Sequence, residues 1–404
     1  MYRSAVIALL TGIALGSTPG CVLAAEASNA DLVARIESLE KELAALKALV
    51  TKPAAQAVQA VAPPASPPVS APTPLTTRDS KFRLSGYVQM RAFDAQTTTN
   101  APKVRDEFDL RRAQMIFTGD IGRRALGRFS FDMGRTQFST RDAFLEYRAS
   151  RALLLRAGQF KLPVSYEVLQ SAADLPALER ALINQRLYPG NRDRGFMADW
   201  NLSRRGNHPV WVQLGVVNGT GPNQSDNNEG KELFGGLFFK RQRFDARLAY
   251  NTGSFVFDPD GAPPPFRTRK YRASLSLHGI LGDAGLWNWS GQYTRGRGDF
   301  PLGGGAPRLT GTVGPAGAFN PAEAGGYYLL LVRRLHKNSP LSLWAKHDAF
   351  DPNREVGGDN IKITGAGVLW DVDSHVGLSG GLFHKNYPGV EQNNTVGLQT
   401  QLRF

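Results

Sequence analysis

The chain ends in VGLQTQLRF (Val396–Phe404). Val396, Leu398, Thr400, Leu402 and Phe404 stand two apart, and Gly397, Gln399, Gln401 and Arg403 fill the places between them. A period of two sends alternate side chains to opposite faces of a β-strand, so this stretch reads as a strand with one apolar and one polar face. A strand that keeps this pattern to its last aromatic residue needs partners on both edges, because an open edge leaves a row of unmet backbone groups. The expected second partner is the first strand, near Arg83 to Phe93, which would close the sheet on itself.

The same period recurs upstream. Phe129, Phe131 and Met133 alternate with Arg128, Ser130 and Asp132; Phe244, Ala246, Leu248 and Tyr250 alternate with Asp245, Arg247 and Ala249. Tyr271, Ala273, Leu275 and Leu277 alternate with Arg272, Ser274, Ser276 and His278, and Trp287, Trp289 and Tyr293 with Asn288, Ser290 and Gln292. Each segment has about the 9–11 residues of a tilted membrane strand. Strands are expected near residues 81, 107, 125, 141, 152, 194, 209, 232, 244, 269, 286, 326, 341, 360, 374 and 393. About 16 is an even number, as single-chain outer-membrane barrels require. Arg111 and Arg112 break the alternation, which predicts a β-bulge there. Short connections such as Gly122 to Arg124 alternate with long ones such as NGTGPNQSDNNEG (218–230) and DPDGAPPPF (258–266). That asymmetry fits periplasmic turns and extracellular loops. A soluble β-sandwich would also alternate, but not with aromatic-capped strands for so long behind an export signal.

That signal is MYRSAVIALLTGIALGSTPGCVLAAEA (1–27). A basic residue, a short apolar core and small residues near Ala24 or Ala27 are the grammar of a secretory leader, expected over 1–24 with a cut as late as 27; an N-terminal anchor is the alternative. The single cysteine, Cys21, would leave with it, so no disulfide framework is expected. Leu32, Ile36, Leu39, Leu43, Leu46 and Val50 follow at spacings of four and three. They make a heptad seam, read as a parallel coiled coil over 28–50; an amphipathic helix lying on a core would show a similar stripe. The Pro/Ala-rich run over 51–78 is an extended spacer, and the barrel domain spans 79–404.

The formal net charge is +13, with 35 Arg against 13 Lys. Export removes nucleic acid as the anionic partner. No nucleophile elbow, phosphate loop or paired-histidine helix is present, so neither an enzyme nor a cofactor nor a metal centre is expected. His375 and His384 near Asp371 and Asp373 read as surface histidines rather than a metal site. Arg128, Arg156, Arg247, Lys270, Arg272, Lys346, Lys362 and Arg403 fall on the polar phase of their strands and are candidates for the wall of an anion path. Asp132, Glu146, Asp199, Asp245 and Asp348 share that phase, and each could tie an arginine into a structural pair instead.

The segment 158–195 resembles the signature region of the phosphate-selective porin O and P family. The resemblance is carried by Gly158-Gln159-Phe160-Lys161, Pro163, Ser165, Leu178-Glu179-Arg180, Pro189-Gly190 and Arg192-Asp193 before Gly195. PGNRDRG here has an extra residue and an extra arginine against the family's PGRDxG. The resemblance implies an all-β, 16-stranded antiparallel transmembrane barrel in the outer membrane, assembled as a homotrimer among lipid, with inorganic anions such as phosphate as its cargo. It implies that residues from about Val164 to Arg192 fold inward as a constriction loop presenting Arg180, Arg186, Arg192 and Arg194. It also implies that Phe404 is the mark read by the barrel assembly machinery. A general diffusion pore with structural arginines, or a tether between outer membrane and wall using residues 31–50, are the alternative functions.

Overall fold

The computed structural model describes Lys41 and residues 81–96, 107–134, 138–202, 210–226, 230–257, 266–282, 285–298, 311–313, 319–388 and 393–404. The expected leader, coiled coil and spacer lie outside the described residues apart from Lys41. The first half of the barrel is built from β1 (Lys81–Gln96), β2 (Glu107–Ile121), β3 (Ala125–Asp132), β4 (Ser139–Arg148), β5 (Leu153–Lys161), β6 (Arg192–Asn201), β7 (Val210–Val217) and β8 (Glu232–Arg241). The second half comprises β9 (Phe244–Phe257), β10 (Phe266–Leu281), β11 (Trp287–Arg297), β14 (Glu323–Arg334), β15 (Leu341–Asp351), β16 (Ile361–Asp371), β17 (Val376–Asn386) and β18 (Asn393–Arg403). Between β11 and β14, β12 (Gly311–Val313) and β13 (Phe319–Pro321) pair only with each other.

Neighbours in sequence are neighbours in the sheet, and β18 closes it against β1 with Arg403 opposite Tyr87 and Gln399 opposite Arg91. Beyond the last strand residue, Phe404 still exchanges both backbone hydrogen bonds with Gly86, at 2.9 and 3.1 Å. The terminal strand is therefore paired on both edges, as its alternation demanded. Leu398, Leu402 and Phe404 point outward while Gln401 is buried inside. Leu84, Leu145, Phe196, Leu214, Leu248, Leu329 and Leu382 carry the exposed apolar surface to other strands. An apolar exterior over a polar interior is the pattern a bilayer selects.

The largest buried apolar cluster is inside this cylinder. Val164, Val168, Ile183 and Leu187, from the connection between β5 and β6, pack with Phe160, Tyr328, Trp344 and Phe350 of the wall. Burying side chains of this size stabilises the docked connection by roughly 1.5–3 kcal/mol each. The wall under the connection must itself be apolar on its inward face, and Ile361, Ile363, Leu369 and Phe383 complete it. This inverts the polar-in rule on β16 and corrects one expectation. With Ile361 and Ile363 turned inward, Lys362 points outward, in phase with exposed Val368 and Trp370; it lines no lumen.

Candidate functional site

The connection 162–191 is organised by short caps. Ser165 accepts from Val168 N at 3.2 Å and opens α1 (Tyr166–Leu169). Ser171 caps the 3₁₀ turn Ala172–Asp174, and α2 (Leu182–Arg186) follows. Serine suits both starts because its hydroxyl satisfies an otherwise orphaned amide. The segment then bonds to inward side chains of strands far apart around the cylinder. Tyr166 N donates to Ser276 Oγ at 3.1 Å, and its ring stacks on His278 at 3.8 Å between centroids. Gln89 and Gln401 donate to the carbonyls of Ala172 and Ala173 at 3.2 and 3.1 Å. Asn184 and Gln292 exchange two amide bonds at 2.9 Å. Glu167, buried, accepts from Ala181 N, from Asn184 Nδ2 at 2.6 Å and from Lys346 Nζ at 3.1 Å.

Most of the expected wall cations are held by carboxylates. Arg156 meets Glu146 at 2.6 Å and lies over the Phe144 ring. Arg247 forks onto Asp245 at 2.7 and 2.8 Å. Arg272 and Lys270 share Glu232 at 2.5 and 2.9 Å, and Arg272 also donates to Leu187 O. Lys346 pairs with Glu167 and Asp348. Arg403 reaches Asp174 at 3.4 Å and donates to Ala173 O at 2.6 Å, pinning the connection to the last strand. Arg128 and Arg192 share Asp142, the buried Arg192 at 2.7 Å. The connection's own arginines divide. Arg180 donates to the carbonyls of Glu167 and Gln170 at 3.2 and 2.7 Å. Arg186 is half-buried at the end of α2, and Arg194 is exposed, with a 3.4 Å contact to Gln159. Asn191, at φ +56°, accommodates the extra residue of PGNRDRG in the left-handed region, which asparagine tolerates.

Two β-bulges concentrate charge on one stretch of wall. On β2, Gln89 faces Arg112 and Met90 faces Leu110, so Arg111 is the extra residue. A bulge lets successive residues serve the same face, and both guanidiniums reach Glu179 of the connection, Arg111 at 2.7 Å and Arg112 at 3.7 Å. Arg91 completes the set at 2.5 Å and also donates to Leu178 O. Burial alone would raise the Glu179 carboxyl; the Arg91, Arg111 and Arg112 charges outweigh it and hold the group well below the usual carboxylate range. Between β3 and β4 the register slips again, so that Arg141 and Asp142 stand against Ser130.

The second slip places Arg141 within electrostatic reach of Arg192, Asp132 and Arg112. Lys161 is in reach of Arg192, Arg180 and Asp142, and donates to the carbonyls of Leu169 and Gln170. Arg180 is in reach of Glu167, Arg112 and Arg192; burial lowers its pKa to about 10, which leaves it charged at neutral pH. Among the described residues, Arg141, Lys161 and Arg180 have no carboxylate within salt-bridge distance. Strand phase could not find Arg91, Arg111, Arg112, Arg141 and Lys161 as a group. The doubled charge at 111–112 was the visible signal for one bulge, and nothing comparable marks Arg141.

The sequence model of the family described as phosphate-selective porin O and P matches residues 82–241. The fold is similar to DcaP, an outer membrane channel of Acinetobacter baumannii, with TM-score 0.59 and 11% identity, covering 81% of this chain and 99% of that one. It is similar to the anion-selective porin from Comamonas acidovorans, with TM-score 0.58, 11% identity and coverage of 81% and 100%. OmpT of Vibrio cholerae, in a trimer form, superposes with TM-score 0.55, 8% identity and coverage of 80% and 99%. No curated protein matches the sequence.

Proposed function

We propose that this chain, an outer-membrane porin by its family match and its closed 16-strand fold, conducts anions by passive diffusion, with phosphate or a related oxyanion as the favoured cargo. The observation that carries the reading is the convergence of Arg141, Lys161 and Arg180 around Arg192 and Arg112 without salt-bridged carboxylates of their own. In this reading the connection 162–191 is the constriction, and the open side of the bore runs between it and the bulged wall of β2 and β4. An anion entering there exchanges part of its hydration for fixed guanidinium donors, whose planar forks suit oxyanions. Several weak sites in series let the ion leave as readily as it arrived. The arginines paired with Glu232, Asp245 and Glu146 belong to the scaffold, since their charge is cancelled locally. A homotrimer, held in part by the N-terminal seam, is the expected assembly, and the reading assigns no catalysis.

The test is the reversal potential of the full chain in a planar bilayer under a potassium chloride gradient. Anion preference is expected, and cation preference refutes the reading. The specific cargo is tested by adding phosphate against chloride current. Block at millimolar phosphate supports an oxyanion pore; its absence leaves a generic anion pore. The paired arginines favour a second reading for their own part of the wall, a general diffusion pore with structural cations, and that reading expects no phosphate block.

A further inference from the structure

The strand register orders the outward face of β14–β18 into rows. Leu329, His347, Thr364, His384 and Asn394 stand opposite one another in turn. One step nearer the strand ends that carry the longer connections, such as 162–191 and 218–231, the row is Tyr293, Tyr327, Ala349, Lys362 and Asn386. One step the other way it is Leu331, Ala345, Ala366, Leu382 and Val396. Longer connections mark the extracellular end of such a barrel, and exposed tyrosines gather where the bilayer's headgroups begin. The polar row therefore lies at headgroup depth, on the side of the wall that faces lipid. His347 Nδ1 is 2.8 Å from Thr364 Oγ1, and His384 Nδ1 is 2.9 Å from Asn394 Oδ1. Lys362 is exposed, and among the described residues its ammonium has no hydrogen bond or ion pair. Of the carboxylates toward this end of β14 and β15, Glu323 is held by Arg295 and Arg354, and Asp351 accepts from Asn353 N at 3.1 Å. Below the polar row lies an open groove of about 820 Å³. The small side chains of Ala345 and Ala366 leave it between Leu329 and Leu331 on one side and Leu382 and Val396 on the other. Lipid tails are as apolar as leucine, so such a groove gains nothing from hydrophobicity alone. It gains from close fit to a chain, and the headgroup held above it decides which lipid stays.

We propose that this face binds a phosphorylated, multiply acylated glycolipid of the outer leaflet. Lys362 donates to the phosphate, the His347, Thr364, His384 and Asn386 side chains meet the sugar hydroxyls, and acyl chains lie in the groove over Ala345 and Ala366. A charged head above chains is the layout that a cation and a hydrogen-bonding row above an apolar trough fit. A zwitterionic phospholipid brings its own ammonium beside the phosphate and few hydroxyls, so it leaves Lys362 and the polar row unmet. The site is separate from the arginine cluster of the bore: Lys346 and Ile363, the chain neighbours of His347 and Lys362, point to the other face of the wall.

The test uses the full chain, folded in detergent and stripped of lipid. Lipid A bearing its phosphates, dephosphorylated lipid A and phosphatidylethanolamine are offered in turn, and native mass spectrometry reads the lipid retained and the mass of the assembly. Phosphorylated lipid A is expected to be held about fivefold or more tightly than the other two, since a lysine at the membrane surface is worth about that factor. Inorganic phosphate, which lacks chains, should not displace it. Lys362→Met should weaken retention about fivefold, and Lys362→Arg should restore it. Ala366→Phe fills the groove from the lipid side and should weaken retention too, whereas Leu214→Phe, on the exposed face of β7, should not. Equal retention of the dephosphorylated form, displacement by inorganic phosphate, no loss in Lys362→Met, or an equal loss in Leu214→Phe each overturns the proposal. So does a lower assembly mass for Ala366→Phe, which would assign this face to contacts between copies of the chain. A pore that prefers cations yet holds lipid A through Lys362 would refute the proposed function and leave this site standing.

Discussion

Arg141 offers the sharpest test of the anion path. It stands at the β3–β4 bulge with no salt-bridged carboxylate among the described residues, near Arg192 and Arg112. Replacing it with glutamine removes one positive charge that has Asp132 within electrostatic reach but no carboxylate at salt-bridge distance. At a distance of roughly 5 Å in water-filled space, a unit charge changes an ion's energy by about 0.8 kcal/mol. Screening at 0.1 M salt, where the Debye length is about 10 Å, leaves about 0.5 kcal/mol. The charge favours the anion and disfavours the cation by that amount, so the permeability ratio should change by about 1 kcal/mol, or about fivefold at an RT of ~0.59 kcal/mol. The comparison variant is the double change Arg156→Gln with Glu146→Gln. Those two side chains meet at 2.6 Å, their far field cancels, and removing both leaves the net charge of the wall unaltered. Reversal potentials under a tenfold potassium chloride gradient measure both. A shift for Arg141→Gln below about 1.5-fold, or an equal shift for the double variant, would show that uncompensated charge does not set the selectivity.

Glu179 is held below the usual carboxylate range by three guanidiniums, so the docked connection should gain stability above the ordinary pKa of about 4.3 and lose it only as pH falls through the lowered value. Single-channel noise should therefore stay flat from neutral pH to about 4 and rise below it, whereas Glu179→Gln should be noisy throughout; an onset near pH 6 contradicts the pairing. Glu232 is buried between Arg272 and Lys270, and Glu232→Gln should destabilise the barrel by about 3–5 kcal/mol in denaturant unfolding because two buried cations lose their partner. A loss under about 1 kcal/mol would mean that water already solvates them. A side chain on Gly86 would meet the Phe404 ring at 2.5 Å and the Gln114 carbonyl besides. Gly86→Val should thus lower the folded yield on gels that separate compact from heat-unfolded barrels, and an unaltered yield would show that the closing seam can shift.

Much of the fold was legible because strand geometry is local. A period of two tells which residues share a face, and sixteen expected starts correspond to the sixteen strands that close in the structure. The terminal alternation foretold a paired final strand, and the doubled arginine foretold the bulge at Arg111. Lys362 was misplaced because the rule that polar residues face the bore fails wherever the bore is filled by apolar chain. Ile361 and Ile363 face inward to meet the connection, and their neighbour must face the other way.

The sequence by itself determined the barrel, the phase of most strands and the excess of basic over acidic residues. Only the tertiary structure decided which of those arginines are cancelled. Arg272 and Glu232 are 40 residues apart, Arg192 and Asp142 are 50, and Lys346 and Glu167 are 179. Such pairs form when sheet closure and loop docking bring distant strands together, and strand periodicity carries no record of them. The same closure gathers Arg141, Lys161 and Arg180 around Arg192 and Arg112. Whether an arginine attracts an ion or braces a wall thus depends on a neighbour supplied by the fold.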